Sequence, residues 1–344
     1  MVTSDNIEET NNSAMDATPT MTDENQDDFL SDANKGDKKS SLKNSYKVLA
    51  RKYRPQNFED LMGQEIMVQT LKNAFKTNRI AHAYILTGVR GIGKTTTARL
   101  LARSLNYETD LINEPNIEMP EIGKHCEEIM ESRHIDVIEM DAASRTGIAD
   151  IREIIDSINY SPSSARYKIY IIDEVHMLSK AAFNGLLKTL EEPPAHVKFI
   201  FATTEVQKIP LTSLSRCQRF DLRRFDNDMI RSLINKVCKK EMVSIDDQII
   251  NLIARASGGS ARDSLSLLDQ AMALSTDGNI SEEKIRQMLG MSDQSRLIDL
   301  YEYISTTEIE KALLEVRDQI DIGTDPVNLI ESLGDLIHEL TRLK

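Results

Sequence analysis

Gly88-Val89-Arg90-Gly91-Ile92-Gly93-Lys94-Thr95 reads as a complete GxxxxGK[ST] phosphate loop. An apolar run, Ala83 to Leu86, precedes it, and a helix-forming run from Thr96 to Leu105 follows. That is the strand–loop–helix setting the motif needs. Gly88, Gly91 and Gly93 open backbone angles closed to other residues, so successive amides turn inward around phosphate oxygens. The new helix directs its positive end at the same anion. With Val89, Arg90, Ile92 and Thr96 completing the cradle, Lys94 is predicted to neutralise β/γ-phosphate charge and Thr95 to hold Mg²⁺ through its hydroxyl. A chance glycine–lysine turn would not sit between such flanks.

Working outward, strand-like and helix-like segments alternate to about Phe225. Strands are expected at residues 83–86, 135–140, 168–172 and 198–202, and helices at 66–77, 95–105, 148–158 and 180–190, the last stopped by Pro193-Pro194. Continuous apolar strands indicate a parallel α/β sheet covered by helices on both faces. After Phe225 the periodicity is helical, with runs at 229–241, 246–257 and 261–274. This organises the chain as a nucleotide-binding domain over 45–225, a small helical domain over 226–290 and the start of a further helical domain over 291–344. Residues 1–44 carry ten acidic residues against four lysines, a net of −6, with almost no apolar periodicity. Such a segment buries too little surface to offset its ordering cost and is expected to be a disordered extension.

Composition narrows the class. The chain has 344 residues, a net charge of −13 and three scattered cysteines, Cys126, Cys217 and Cys238. The cysteines suit a reducing compartment and argue against a disulfide framework. No apolar run is long enough to span a membrane and no secretory leader is evident, so a cytoplasmic protein with no membrane partner is expected. The acidic balance excludes a large uniform basic surface; any nucleic-acid contact must be local or built by assembly.

Further chemistry sits at strand ends. Tyr170-Ile171-Ile172-Asp173-Glu174-Val175-His176 delivers two adjacent acids at the carboxyl end of an apolar strand, where open α/β sheets bind ligands. Asp173 is predicted to coordinate Mg²⁺ and Glu174 to orient and deprotonate the attacking water. His176 reads either as part of a helicase-type D-E-x-H box or as a loop hydrogen-bond partner. Strand 198–202 ends in Thr203-Thr204-Glu205, where a hydroxyl can sense the γ-phosphate. Ser215-Arg216-Cys217 follows a helix-like turn after Pro210; Arg216 is either a surface residue or a finger donated to a neighbour's nucleotide. Gly258-Gly259-Ser260 breaks one helix and caps the next, placing Arg262 in a first turn from which it reaches the nucleotide or pairs with Asp263 or Asp269.

Together with Val48-Leu49-Ala50-Arg51-Lys52-Tyr53-Arg54-Pro55, Phe58, Gly63-Gln64, Asp141-Ala142-Ala143-Ser144-Arg145-Thr146 and Leu187-Lys188-Thr189-Leu190-Glu191-Glu192-Pro193-Pro194, these motifs resemble clamp-loader ATPases of the gamma/tau family of bacterial DNA polymerase III, over about residues 46–290. The resemblance implies an AAA+ P-loop core, a helical lid and a helical collar. It implies ATP and Mg²⁺ as cofactors, and a ring with delta and delta-prime subunits and further copies of the chain. That ring opens the sliding clamp, places it on primed DNA at the replication fork and works with the polymerase core. By motif match Lys94 and Thr95 become the Walker A pair, Asp173 and Glu174 the Walker B pair, Thr204 the first sensor, Arg216 the trans finger, Arg262 the second sensor, and Ala50, Arg54 and Pro55 the adenine wall. Arg145 becomes the candidate phosphate-backbone contact to DNA. Nucleotidyl transfer is not expected on this chain. The competing class is another AAA+ DNA motor, such as a branch-migration helicase.

Two departures from the family stand out. The family carries a four-cysteine zinc module after the phosphate-loop helix. Here Tyr107, Pro120 and Gly123 stand where three of the cysteines fall and only Cys126 remains, so no zinc is expected and residues 108–124 are expected to be a loosely held loop. The collar stops at Lys344, which reads as truncated; Leu329, Leu333, Leu336, Ile337 and Leu340 have helical spacing there and read as an exposed partner face or, by default, as ordinary core packing.

Overall fold

The computed structural model describes residues 46–145, 147–274, 281–290 and 294–343. The acidic extension expected over residues 1–44, and Thr146, lie outside them. Five parallel strands, β1 (Ala83–Thr87), β2 (Val137–Asp141), β3 (Lys168–Asp173), β4 (Val197–Thr203) and β5 (Gln218–Asp221), form one sheet in the order β2-β3-β4-β1-β5. Alternate residues of the apolar strands serve opposite faces. Tyr84, Leu86, Ile169, Ile171 and Ile200 pack with the helices α2 (Glu65–Lys76), α3 (Lys94–Leu105) and α4 (Cys126–Met130). Ile85, Tyr170, Ile172, Phe199 and Phe201 pack with α5 (Ile148–Ile158) and α6 (Lys180–Glu191). Helical crossovers between parallel strands cover both faces of the sheet, which is why its strands read as apolar runs.

The second strand starts later than expected. Ile135 is exposed, and the Asp136 carboxylate accepts backbone N–H bonds from Ser163, Ser164 and Ala165 at 2.7–2.9 Å, so these residues form a corner before the ladder begins. Strand β5 was not anticipated: it is a four-residue edge strand with Phe220 alone buried, too short to show a period. A one-turn helix, α7 (Leu211–Leu214), precedes it, and another, α1 (Leu49–Lys52), opens the described chain.

Beyond the sheet, α8 (Asn227–Glu241), α9 (Asp247–Ala256), α10 (Ala261–Ala273) and α11 (Glu282–Met288) close around Ile230, Ile234, Ile253 and Leu268. Asp226, Asp246 and Ser260 cap the first three by accepting an N–H of the first turn. Then α12 (Gln294–Ser305), α13 (Ile309–Asp321) and α14 (Pro326–Leu343) bury Leu297, Leu300 and Leu329. Leu333 and Leu336 pack against that cluster, as expected; Ile337 and Leu340 do not, being 44% and 39% exposed.

Residues 108–124 are irregular but not loose, which corrects the expectation. Ile117 and Met119 reach the core on the α3 face of the sheet. Asn116 N–H donates to the Ser104 carbonyl at 2.9 Å, and the Tyr107 hydroxyl donates to the Glu121 carbonyl at 3.1 Å. Three of the four zinc-module positions converge: Gly123 N–H donates to Cys126 Sγ at 3.2 Å, with the Tyr107 ring alongside. One thiol does not make the soft tetrahedral set that structural zinc requires, so the donors do not fit the ion. Next to them, Asp136 N–H donates to His134 Nδ1 at 3.0 Å. That leaves the proton on His134 Nε2, which donates to His125 Nδ1 at 2.9 Å.

Two outcomes follow for this corner. A Cβ at Gly123 would sit 2.7 Å from the Glu108 carbonyl oxygen, so Gly123→Ala is expected to cost about 1–3 kcal/mol in urea unfolding, and an unchanged midpoint would show that the corner yields freely. Burial, and then the neighbouring His125, hold His134 below its ordinary pKa, so the fold favours the neutral ring. That contribution is complete above about pH 6.5 and is lost as pH falls below it. Stability of His134→Gln should therefore fall less between pH 7 and 5.5 than that of the parent; parallel slopes would contradict this.

Candidate nucleotide site

The phosphate loop runs from the end of β1 into α3, beside the carboxyl ends of β3 and β4, where parallel sheets present ligand sites. A cavity of about 880 Å³ lies between this edge and helices α8 and α10. It brings together most residues singled out in the sequence: Arg90 to Thr96 of the loop, Asp173, Glu174, Thr204 and Arg262, with Ala50, Arg54 and Pro55 also on its wall. Gly88 and Val89 do not line it. Their carbonyls accept from Lys94 Nζ at 3.0 and 3.1 Å, which fixes the ammonium inside the loop.

Lys94 is 6% exposed, and burial lowers its pKa against the opposing pull of Glu174 and Asp173. Its Nζ lies 3.8 Å from Glu174 Oε1. Thr95 Oγ1 donates to Asp173 Oδ2 at 2.5 Å, so two hard oxygen ligands meet at the start of α3, a donor pair that suits Mg²⁺. Glu174 adopts a left-handed backbone, φ +45°, unusual for a residue with a Cβ. Its Oε2 accepts from both the backbone N–H and the hydroxyl of Thr204 at 3.1 Å, so the tip of β4 aims this carboxylate. His176 makes a loop hydrogen-bond contact, its Nδ1 lying 3.0 Å from Thr203 Oγ1 and 3.4 Å from Glu174 Oε2. Burial and then the nearby Arg99 and Arg262 lower the Arg54 pKa, the mark of crowded cations.

The helical domain touches the loop itself. Arg262 N–H donates to the Gly91 carbonyl at 3.2 Å. Gly91 has φ +78°, and a Cβ there would lie 1.9 Å from Ser260 Oγ. The motif needs glycine here for turn geometry and for the lid's approach.

Two predicted residues lie elsewhere. Arg216, just after α7, pairs with Glu191 at 2.6 Å and donates to the Thr212 carbonyl, away from the cleft of its own chain. Arg145 is exposed beyond the end of β2. Sequence reasoning missed the far wall: Phe225, Leu233, Val237 and Leu265 form its apolar part, with Tyr53, Lys236 and Lys240 beside them. On α8 and α10 these are ordinary amphipathic positions, and nothing in their spacing separates cavity from core. Among the described residues no helix is long and apolar enough to cross a membrane.

Family models match the chain in series: DNA polymerase III, delta subunit over residues 63–226, the DNA polymerase III clamp loader subunit ATPase lid domain over 229–277, and DNA polymerase III subunits gamma and tau domain III over 280–344. Similar proteins include the DNA polymerase III subunit tau of Escherichia coli K12, 44% identical over 301 residues covering 87% of this chain and 46% of that protein. The DNA polymerase III subunit gamma of Buchnera aphidicola subsp. Schizaphis graminum is 41% identical over 300 residues, covering 87% of this chain and 81% of that one. The chain thus spans about half the length of the tau relatives it matches, 46% for those of Salmonella typhimurium and E. coli. Among solved structures, the Thermotoga maritima RuvB Holliday junction branch migration motor superposes with a TM-score of 0.50 at 19% identity, over 74% of this chain and 80% of that one, which shows a shared fold. With 41% identity across most of a gamma subunit, and the lid and domain III matches in order behind the phosphate-loop domain, the chain belongs to the DNA polymerase III gamma/tau family.

Proposed function

We propose that this chain is the ATP-hydrolysing subunit of a clamp loader. ATP binding and hydrolysis would drive opening of a sliding clamp and its placement on primed DNA, in a cytoplasmic ring with delta and delta-prime subunits and further copies of the chain, alongside the polymerase core. The observation that carries this is the cleft, which gathers Lys94, Thr95, Asp173, Glu174, Thr204 and Arg262 while leaving Arg216 outside. A branch-migration motor rests on likeness of fold alone.

Each residue then has a task. Loop amides and the α3 N-terminus bind phosphate, and Lys94 neutralises its charge from a fixed position. Thr95 and Asp173 would hold Mg²⁺, which when bound offsets the negative charge of the nucleotide phosphates. Glu174, aimed by Thr204, accepts the proton of the attacking water. Arg262 carries lid position to the phosphates, and Arg216 supplies charge to the site of a neighbouring subunit, so that turnover requires a closed ring. Arg145 contacts the DNA backbone without reading sequence.

The test is ATP turnover by the chain with delta and delta-prime, with and without clamp and primed DNA. Stimulation by clamp plus DNA is expected, with Lys94→Ala abolishing ATP binding and Arg216→Ala lowering turnover by about 10³-fold while binding is retained. Turnover indifferent to clamp and DNA would refute the loading role. Gly91→Ala should weaken ADP binding at least about tenfold by displacing Ser260, and adding Ser260→Gly should recover part of the loss. A Gly91→Ala chain that binds ADP normally would show that the lid contact is dispensable.

A further inference from the structure

Residues 49–58 belong to two cores at once. Leu49, 4% exposed, packs with Ile230, Ile234 and Leu268 inside the lid. Phe58, 3% exposed, packs in the sheet domain with Leu71 and Leu101. Between them Tyr53, Arg54 and Pro55 form part of the cleft wall. The sheet end is pinned by Arg103, whose Nη1 donates to the Gln56 carbonyl at 2.5 Å. The lid end is pinned by Glu241, the last residue of α8: its Oε1 accepts from the Tyr53 hydroxyl and from Lys52 Nζ, both at 2.6 Å. The lid is therefore held to the sheet domain at separate points. One is the Gly91–Arg262 contact at the phosphate end. Another lies just before α8, where Arg224 Nε donates to the Gly258 carbonyl at 2.7 Å. Residues 49–58 are the third, and the only one of these three that is itself cleft wall away from the phosphate loop.

We propose that Tyr53 and Glu241 are positioning residues for the nucleotide: their hydrogen bond holds the 49–58 strap against the lid and so shapes the end of the cleft remote from the phosphates. This rests on the nucleotide reading above. The two bonds to Glu241 are unequal. Lys52 is half exposed, at 49%, and water screens its ion pair, which contributes little. The phenol–carboxylate bond is partly buried and charge-assisted, and is the stronger of the two. Consistent with this, burial and then the Glu241 carboxylate push the Tyr53 hydroxyl up to about 12, which keeps it a donor at all physiological pH. The aromatic ring has a separate role, lying 5.5 Å from both the Lys52 and Lys240 ammoniums, so Tyr53→Phe removes the latch while leaving the ring in place.

The test is ADP affinity of the full chain by calorimetry, paired with ligand-free thermal midpoints. Tyr53→Phe and Glu241→Gln should each weaken ADP about fivefold, the double variant no more than the worse single, and Lys52→Ala less than about twofold. Ligand-free midpoints should stay near the parent's, since the two cores remain intact. Unchanged affinity in both singles, or losses that multiply in the double variant, would overturn the latch while leaving the nucleotide reading in place. If Glu241→Gln does not fold, Glu241→Asp, which keeps the charge but shortens the reach, carries the same expectation and the same refutation. Absence of ADP binding by the parent chain would sink the nucleotide reading and this inference with it.

Discussion

The contact that the rest of the site depends on is the lid resting on the phosphate loop. Gly91 gives up its side-chain space to Ser260 and its carbonyl to the Arg262 amide. A loop that cradles phosphate is thereby also a bearing surface for a second domain, and neither partner can move without disturbing the other. This makes the cleft a shared object: its phosphate end is built by the strand–loop–helix of the sheet domain and its far wall by α8 and α10. A ligand that touches both sides has differential affinity for open and closed arrangements, which is the physical requirement for a nucleotide to set conformation.

The sheet side of this arrangement was legible in the sequence because its signals are local. A GxxxxGKT loop needs a strand before it and a helix after it, and an Asp-Glu pair after Tyr170-Ile171-Ile172 can stand only at a strand end. The lid side was legible as helices, with Arg262 the one cleft residue anticipated on it. Leu233, Val237 and Leu265 obey the same amphipathic period whether they face a core or a cavity, and tertiary packing alone decides between them. Tyr53 and Glu241 are 188 residues apart, and no local rule couples them. Strand β5 was missed because four residues with one buried Phe carry no period, and Ile135 was misread as strand because the Asp136 carboxylate, which caps three amides, is invisible to a hydropathy pattern.

The segment after α3 shows how a chain closes a corner without the usual metal ligands. At the positions where the family resemblance places cysteines, Tyr107 supplies a hydroxyl to the Glu121 carbonyl and Gly123 lets Cys126 and the Tyr107 ring approach. Ile117 and Met119 then anchor the irregular stretch by burial, and the His134–His125 hydrogen bond adds a directional tie. These are many small contributions in place of four strong bonds, so the corner depends on pH and on packing volume where a zinc site would depend on metal.

In the proposed function a neighbouring subunit completes the charge of the cleft through Arg216. The most direct measurement mixes two inactive chains, Lys94→Ala and Arg216→Ala, in the assembled complex with clamp and primed DNA, and compares turnover with that of each alone. A shared site predicts recovery in the mixture, because a Lys94→Ala chain still offers Arg216 to the intact cleft of its neighbour. A mixture no more active than the sum of its parts would contradict it and confine Arg216 to a structural role within its own chain.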